Sequence, residues 1–122
     1  TGLGKALTAF LPEQEMYEIA HAINYEKMTE LTILDPETFL ARLEETRRYG
    51  YGMDDREFRD EVRCIAAPIF DFRGVPVGAI SISTLVFRVS QDTLIDWAPK
   101  LLSAARSISR KIGNVETKAA VN

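Results

Sequence analysis

The most regular apolar pattern lies in the centre of the chain. Val62-Arg-Cys-Ile-Ala-Ala-Pro-Ile-Phe70 and Val77-Gly-Ala-Ile-Ser-Ile-Ser83 read as two strands of a hairpin, joined through the turn-rich stretch 71–76. Alternate residues of a strand share a face. Cys64, Ala66, Pro68 and Phe70 therefore lie on one side of the first strand, and Val77, Ala79, Ser81 and Ser83 on one side of the second. With Arg73-Gly74 at the tip, Cys64 opposes Ser83 and Ala66 opposes Ser81. Pro68 has no N–H for the ladder, so it predicts a bulge or an edge there.

Helical periods flank the hairpin. Residues 4–10 read as a short helix entered from a glycine turn and stopped near Pro12. Residues 13 to 23 read as a second, with Met16, Ile19, Ala20 and Ile23 on one face. Residues 29–33 are expected to be extended. Asp35 is an N-cap candidate and Pro36 fits the first position of a third helix, whose buried stripe is Phe39, Leu40, Leu43 and Thr46. Arg47, Arg48 and Gly50 end it. A short strand is expected at 49–53, then a charged stretch at 54–61 anchored by Phe58. Ser90 caps a final helix in which Leu94, Trp97 or Ala98, Leu101, Ala105, Ile108 and Ile112 recur at helical spacing. Pro99 is expected to kink or split it, Gly113 to end it, and the tail 114–122 to fray. The fold class is α/β of the α+β kind: an antiparallel hairpin with helices packed on it. There is no parallel βαβ alternation and no dinucleotide-binding glycine fingerprint.

Composition adds bounds. The 122 residues make one domain by size, and 46% hydrophobic with 27% charged residues is ordinary for a soluble globular protein. No apolar run reaches the roughly 18–20 residues of a membrane helix, so no membrane partner is expected. The chain opens at Thr1 without a basic-then-apolar leader, which points to a piece of something longer and to a cytoplasmic setting. One cysteine excludes an internal disulfide, and one cysteine with one histidine falls short of a zinc centre, so neither metal nor cofactor is expected. Net charge is −3, unevenly spread. Lys100, Arg106, Arg110, Lys111 and Lys118 against Glu116 make residues 99–122 basic, as the C-terminal turn of a helix favours. The acidic body argues against nucleic-acid binding by this chain itself.

Candidate chemistry centres on the hairpin, where Cys64, Ser81 and Ser83 form a polar floor among small residues. As a nucleophile Cys64 needs a base, and the sole histidine, His21, is on a distant helix, so no catalytic residue is assigned. Cys64 can equally be a small buried hydrophobe. The two hydroxyls, if buried, need partners that a polar ligand or water could supply. Thr1-Gly-Leu-Gly-Lys-Ala6 lacks the spacing of a phosphate loop. A glycine turn entering a helix nevertheless offers N–H groups to a carboxylate, or is simply a tight turn. Asp54 either ends in a solvated turn or reaches over the floor to accept hydrogen bonds from a ligand hydroxyl or hydrate.

Five segments in order carry a resemblance: Thr1-Gly-Leu-Gly-Lys-Ala6, Gly50-Tyr-Gly-Met-Asp-Asp55, Val62-Arg-Cys-Ile-Ala-Ala-Pro-Ile-Phe-Asp71, Gly78-Ala-Ile-Ser-Ile-Ser83 and Ala104-Ala-Arg-Ser-Ile-Ser-Arg-Lys-Ile-Gly113. Together they resemble the effector-binding domain of the IclR-type bacterial transcriptional regulators, over nearly the whole chain. The resemblance implies a GAF-like or profilin-like fold over 1–113, lacking its first strands in this fragment. It also implies a homodimer or tetramer, and operator DNA reached only through a separate N-terminal helix-turn-helix domain missing here. Its small-organic-acid pocket maps onto Gly2 and Leu3 as main-chain donors to the carboxylate. Asp54, Cys64, Ser81 and Ser83 become the polar wall, and Val62 an apolar contact. Leu3 departs from the small residue common at its position. Two rival readings are a GAF-like interaction domain without ligand and a thiol enzyme using Cys64.

Overall fold

The computed structural model describes residues 1–115. Its elements run α1 (Gly2–Thr8), α2 (Glu13–Ala22), α3 (Pro36–Tyr49), β1 (Gly52–Asp55), β2 (Val62–Phe70), β3 (Pro76–Leu85), α4 (Gln91–Asp96) and α5 (Ala98–Lys111). The strands form one antiparallel sheet in the order β1-β2-β3, so the most apolar strand is central. Among the described residues no helix is long and apolar enough to cross a membrane.

Strand alternation divides the sheet into two faces. Ile65 and Ala67 of β2 pack with Leu94 of α4 and with Ala98, Leu101 and Ala105 of α5 to form the main core. Met53, Ile80 and Ile82 close around it from the neighbouring strands. Cys64 and Ala66 face the other way, under α1, whose Gly2, Ala6 and Ala9 are all buried. Small residues on both partners let helix and sheet approach closely. A Cβ on Gly2 would lie 3.2 Å from Cys64 Sγ, and one on Gly52 only 2.9 Å from Lys5 Cβ.

The hairpin register matches the expectation, with Cys64 paired to Ser83 and Ala66 to Ser81. Pro68 lies past the end of β1, where β2 has a neighbour on one side only, and the irregularity falls later, between Ile69 and Phe70. There Phe70 N–H leaves the ladder and donates to Ser109 Oγ of α5 at 2.9 Å. The third helix begins and ends as read: the Asp35 side chain caps it and Gly50 takes the left-handed conformation at φ 86°. The last helix is split, with Trp97 between α4 and α5 and Pro99 in the first turn of α5.

Five expectations are corrected. Helix α1 starts at Gly2, two residues early, because the Thr1 hydroxyl caps it by accepting from Gly4 N–H at 3.1 Å. Residues 29–31 turn and no strand forms over 29–33, where the Thr29 and Thr32 hydroxyls bond the backbone of the β1–β2 connection. Tyr49 completes α3, so β1 begins only at Gly52. Phe58 is exposed rather than buried in the body, with the Arg59 guanidinium over its ring. At the C-terminus Asn114 is held: it donates to Asp71 O at 2.7 Å and to Ser109 O at 2.9 Å. The rest of the expected tail, 116–122, lies outside the described residues.

Asp71 organises the hairpin tip. Its carboxylate accepts N–H bonds from Arg73 at 2.8 Å and Val75 at 3.1 Å, and the Arg73 guanidinium grips the second oxygen at 2.7 Å. The guanidinium bonds foremost, with the two amides, hold this carboxyl below the ordinary aspartate range against the opposing pull of burial. A depressed folded value stabilises the protein above the unfolded value of about 4 and ceases to do so as pH falls through the lower folded value. Asp71→Asn is therefore expected to lower Tm at pH 7, with the gap to wild type closing as pH falls below about 4. Scanning calorimetry across pH 2–7 tests this, since a gap that stays constant would mean the charge has no part in it.

Candidate functional site

Strand pairing aligns three of the sequence-derived residues in one row across the sheet. Asp54 of β1 opposes Cys64 of β2, which opposes Ser83 of β3. The next row on the same face is Gly52, Ala66 and Ser81. Val62 lies on this face at the start of β2, half-buried. The N-terminus of α1 sits above, with Gly2 against Cys64 and Ala66. Gly2 and Leu3 occupy the first turn, where backbone N–H groups have no intrahelical acceptor. The Leu3 side chain is exposed.

The individual environments differ from those expected in one respect. Asp54 and Cys64 are buried, at 6% and 8% exposure, but Ser81 and Ser83 are open on the surface. Their hydroxyls make no hydrogen bond to another described residue, and exposure removes the need for one. Asp54 Oδ1 accepts the Glu57 N–H at 2.8 Å, leaving its second oxygen available. The Cys64 thiol donates only weakly, to Ile65 O at 3.6 Å. His21 is exposed on α2, with its ring on Tyr17 and Nδ1 2.9 Å from Tyr17 O, so it is occupied within its own helix.

Sequence reasoning missed Lys5 and Glu57. Lys5 is only 2% exposed, and its ammonium bonds both Glu57 oxygens, at 2.7 and 2.8 Å, as well as Met53 O. The signal was present: Lys5 stands within the small buried stripe of Gly2, Ala6 and Ala9. Its partner could not be read, because it comes from a loop. A cavity of about 360 Å3 lies between α1, the α2–α3 connection and the β1–β2 connection, lined by Thr1, Lys5, Tyr25, Phe39, Glu57 and Phe58 among others. None of the seven sequence-derived residues lines it.

Residues 1–110 match the family model described as bacterial transcriptional regulator IclR, C-terminal. The chain is 38% identical over 113 residues to the HTH-type transcriptional regulator KdgR of Escherichia coli, covering 93% of this chain and 43% of that protein. It thus spans less than half the length of the curated relative. The crystal structure of the C-terminal domain of E. coli KdgR superposes with a TM-score of 0.85 at 38% identity, over 93% of this chain and 69% of that one. Thermotoga maritima IclR gives a TM-score of 0.87 at 34% identity, over 93% and 46%. The inducer-binding domain of PobR from Acinetobacter, a double mutant in complex with 3-hydroxybenzoic acid, gives 0.79 at 28% identity, over 93% and 65%. Continuous coverage of the hairpin, the flanking helices and the polar row places this chain in the IclR family of bacterial transcriptional regulators, as part of its C-terminal domain.

Proposed function

We propose that this domain binds a small organic acid, a keto acid or a sugar acid, and that binding controls operator occupancy by a DNA-binding domain outside this chain, within a homodimer or tetramer. The row Asp54–Cys64–Ser83 beneath the first turn of α1 carries this reading. Gly2 and Leu3 N–H groups take the carboxylate, with the partial positive charge of the helix start favouring the anion. Asp54 then accepts from a ligand hydroxyl or hydrate, and Ser81 and Ser83 can donate or accept as the ligand requires. Val62 supplies an apolar wall. The PobR domain, bound to 3-hydroxybenzoic acid, is a structural relative in complex with an organic acid. Cys64 is read as a contact residue and not a nucleophile, since the sole histidine, His21, is exposed and bonded within its own helix. Effector preference for one packing of the domain then shifts the regulator between states.

The openness of Ser81 and Ser83 favours a second reading, an interaction face without a small-molecule ligand. Calorimetric titration separates the two, with pyruvate, glyoxylate, a sugar acid and a hydroxybenzoate as titrants. One of these acids is expected to bind the wild type, with Ser83→Ala and Asp54→Asn each weakening it by about tenfold or more, as for the loss of a hydrogen bond to a charged group. No heat with any acid at millimolar concentration, or affinities indifferent to both substitutions, would favour the interaction face instead.

A further inference from the structure

We propose that the Lys5–Glu57 ion pair is the positioning device of this acid site, coupling the start of α1 to the Asp54 carboxylate so that both walls move as one. The inference rests on the function proposed above and deepens it. Lys5 follows Gly2 and Leu3 by one turn on the same short helix. Its ammonium crosses to β1 and the connection after it, and grips the chain on both sides of Asp54: at Met53 O, the carbonyl just before, and at the Glu57 carboxylate, three residues after. The Glu57 N–H in turn donates to Asp54 Oδ1 at 2.8 Å. A continuous polar chain therefore runs from α1, through Lys5 and Glu57, to the Asp54 carboxylate.

Two further features hold the same turn. Arg56 adopts φ 60°, the one non-glycine residue with positive φ among the described residues. This left-handed step brings the Glu57 N–H back onto Asp54, and such a conformation persists only where the surroundings over-determine it. Those surroundings are the Arg56 N–H bonded to Val62 O at 3.0 Å, and two threonine hydroxyls from the α2–α3 connection. Thr29 Oγ1 donates to Arg56 O and Thr32 Oγ1 to Glu57 O, both at 2.6 Å. A buried ion pair adds no more stability than a well-packed apolar pair of the same volume. What Lys5 and Glu57 add is direction, because an ammonium with fixed acceptors specifies where the loop sits.

Amide hydrogen exchange on the 15N-labelled chain tests this, comparing wild type with Lys5→Met. The Glu57 amide is expected to exchange at least tenfold faster in the variant, while Leu101 and Ala105 amides in α5 keep their rates. Lys5→Gln, which retains N–H donors for Met53 O and Glu57, should fall between the two, and it serves as the second variant if Lys5→Met does not fold. With pyruvate as the probe, the variant should bind at least tenfold more weakly. An unchanged Glu57 amide overturns the proposal, as does an equal acceleration throughout α5, which is the mark of general destabilisation. Unchanged pyruvate affinity beside a loosened Glu57 amide overturns it too. If the wild type binds no acid at all, the proposed function fails by itself, and the exchange pattern still decides what Lys5 does.

Discussion

Glu57→Gln is expected to destabilise the fold by about 3 kcal/mol, and Lys5→Met by clearly less, although both break the same ion pair. The asymmetry follows from where each charge is left. Removing the carboxylate strands an ammonium that is 2% exposed, with only Met53 O and an amide oxygen to face. Leaving a buried charge without its partner costs roughly 3–5 kcal/mol. Removing the ammonium instead leaves Glu57, whose side chain is 17% exposed and can turn to water, while a methionine of similar length fills the space of the lysine stem. The double variant should therefore be more stable than Glu57→Gln alone, a coupling that urea unfolding of the four proteins measures directly. Equal losses for the two single variants would mean that Lys5 reaches water and is not enclosed as described.

Gly52→Ala is expected to cost about 1–3 kcal/mol, the usual range for forcing an extra methyl group into a close contact. The added Cβ would lie 2.9 Å from Lys5 Cβ, 3.2 Å from Gly2 O and 3.4 Å from Ala6 N. These are backbone atoms or the root of a side chain, so relief comes only by lifting α1 from the sheet. That movement carries Gly2 and Leu3 with it, so acid affinity should fall along with stability. Gly78→Ala on β3 is the control. No heavy atom lies within 4 Å of the place its methyl group would take, and its urea midpoint should stay close to wild type. If the two glycines respond alike, the close approach of α1 to β1 is not the cause.

The hairpin was legible because its information is local. Alternation assigned the faces and Arg73-Gly74 marked the tip, so pairing of Cys64 with Ser83 followed without any knowledge of the rest of the chain. Similar reasoning found the Asp35 cap, the Gly50 stop and the break around Pro99. Legibility ended where tertiary contact overrides local preference. Gly2-Leu3-Gly4 reads as a turn because glycine is a poor helix former, yet the helix starts there, capped by the Thr1 hydroxyl and with Gly2 seated against Cys64 and Ala66. Tyr49 and Tyr51 read as strand because aromatics favour sheets, yet Tyr49 finishes a helix already committed by its N-terminal cap. The seven site residues came from family resemblance and alternation, and strand pairing brings Asp54, Cys64 and Ser83 together in space. Lys5 and Glu57 escaped because their partnership depends on the path of an irregular loop, and a single sequence gives no reason to join two residues 52 positions apart.

The two-faced character of β2 has a consequence for how such a domain can diversify. Ile65 and Ala67 belong to the packed core, whereas Val62 and Cys64 look onto the candidate site, and on β3 Ile80 and Ile82 are divided in the same way from Ser81 and Ser83. Candidate contact positions and positions that pack against α4 and α5 thus alternate along the same two strands. Residues 62, 64, 81 and 83 point away from α5, so substitutions there do not enter its packing on the sheet. If these residues hold the ligand as proposed, its specificity can change through single substitutions that leave the α5 core untouched.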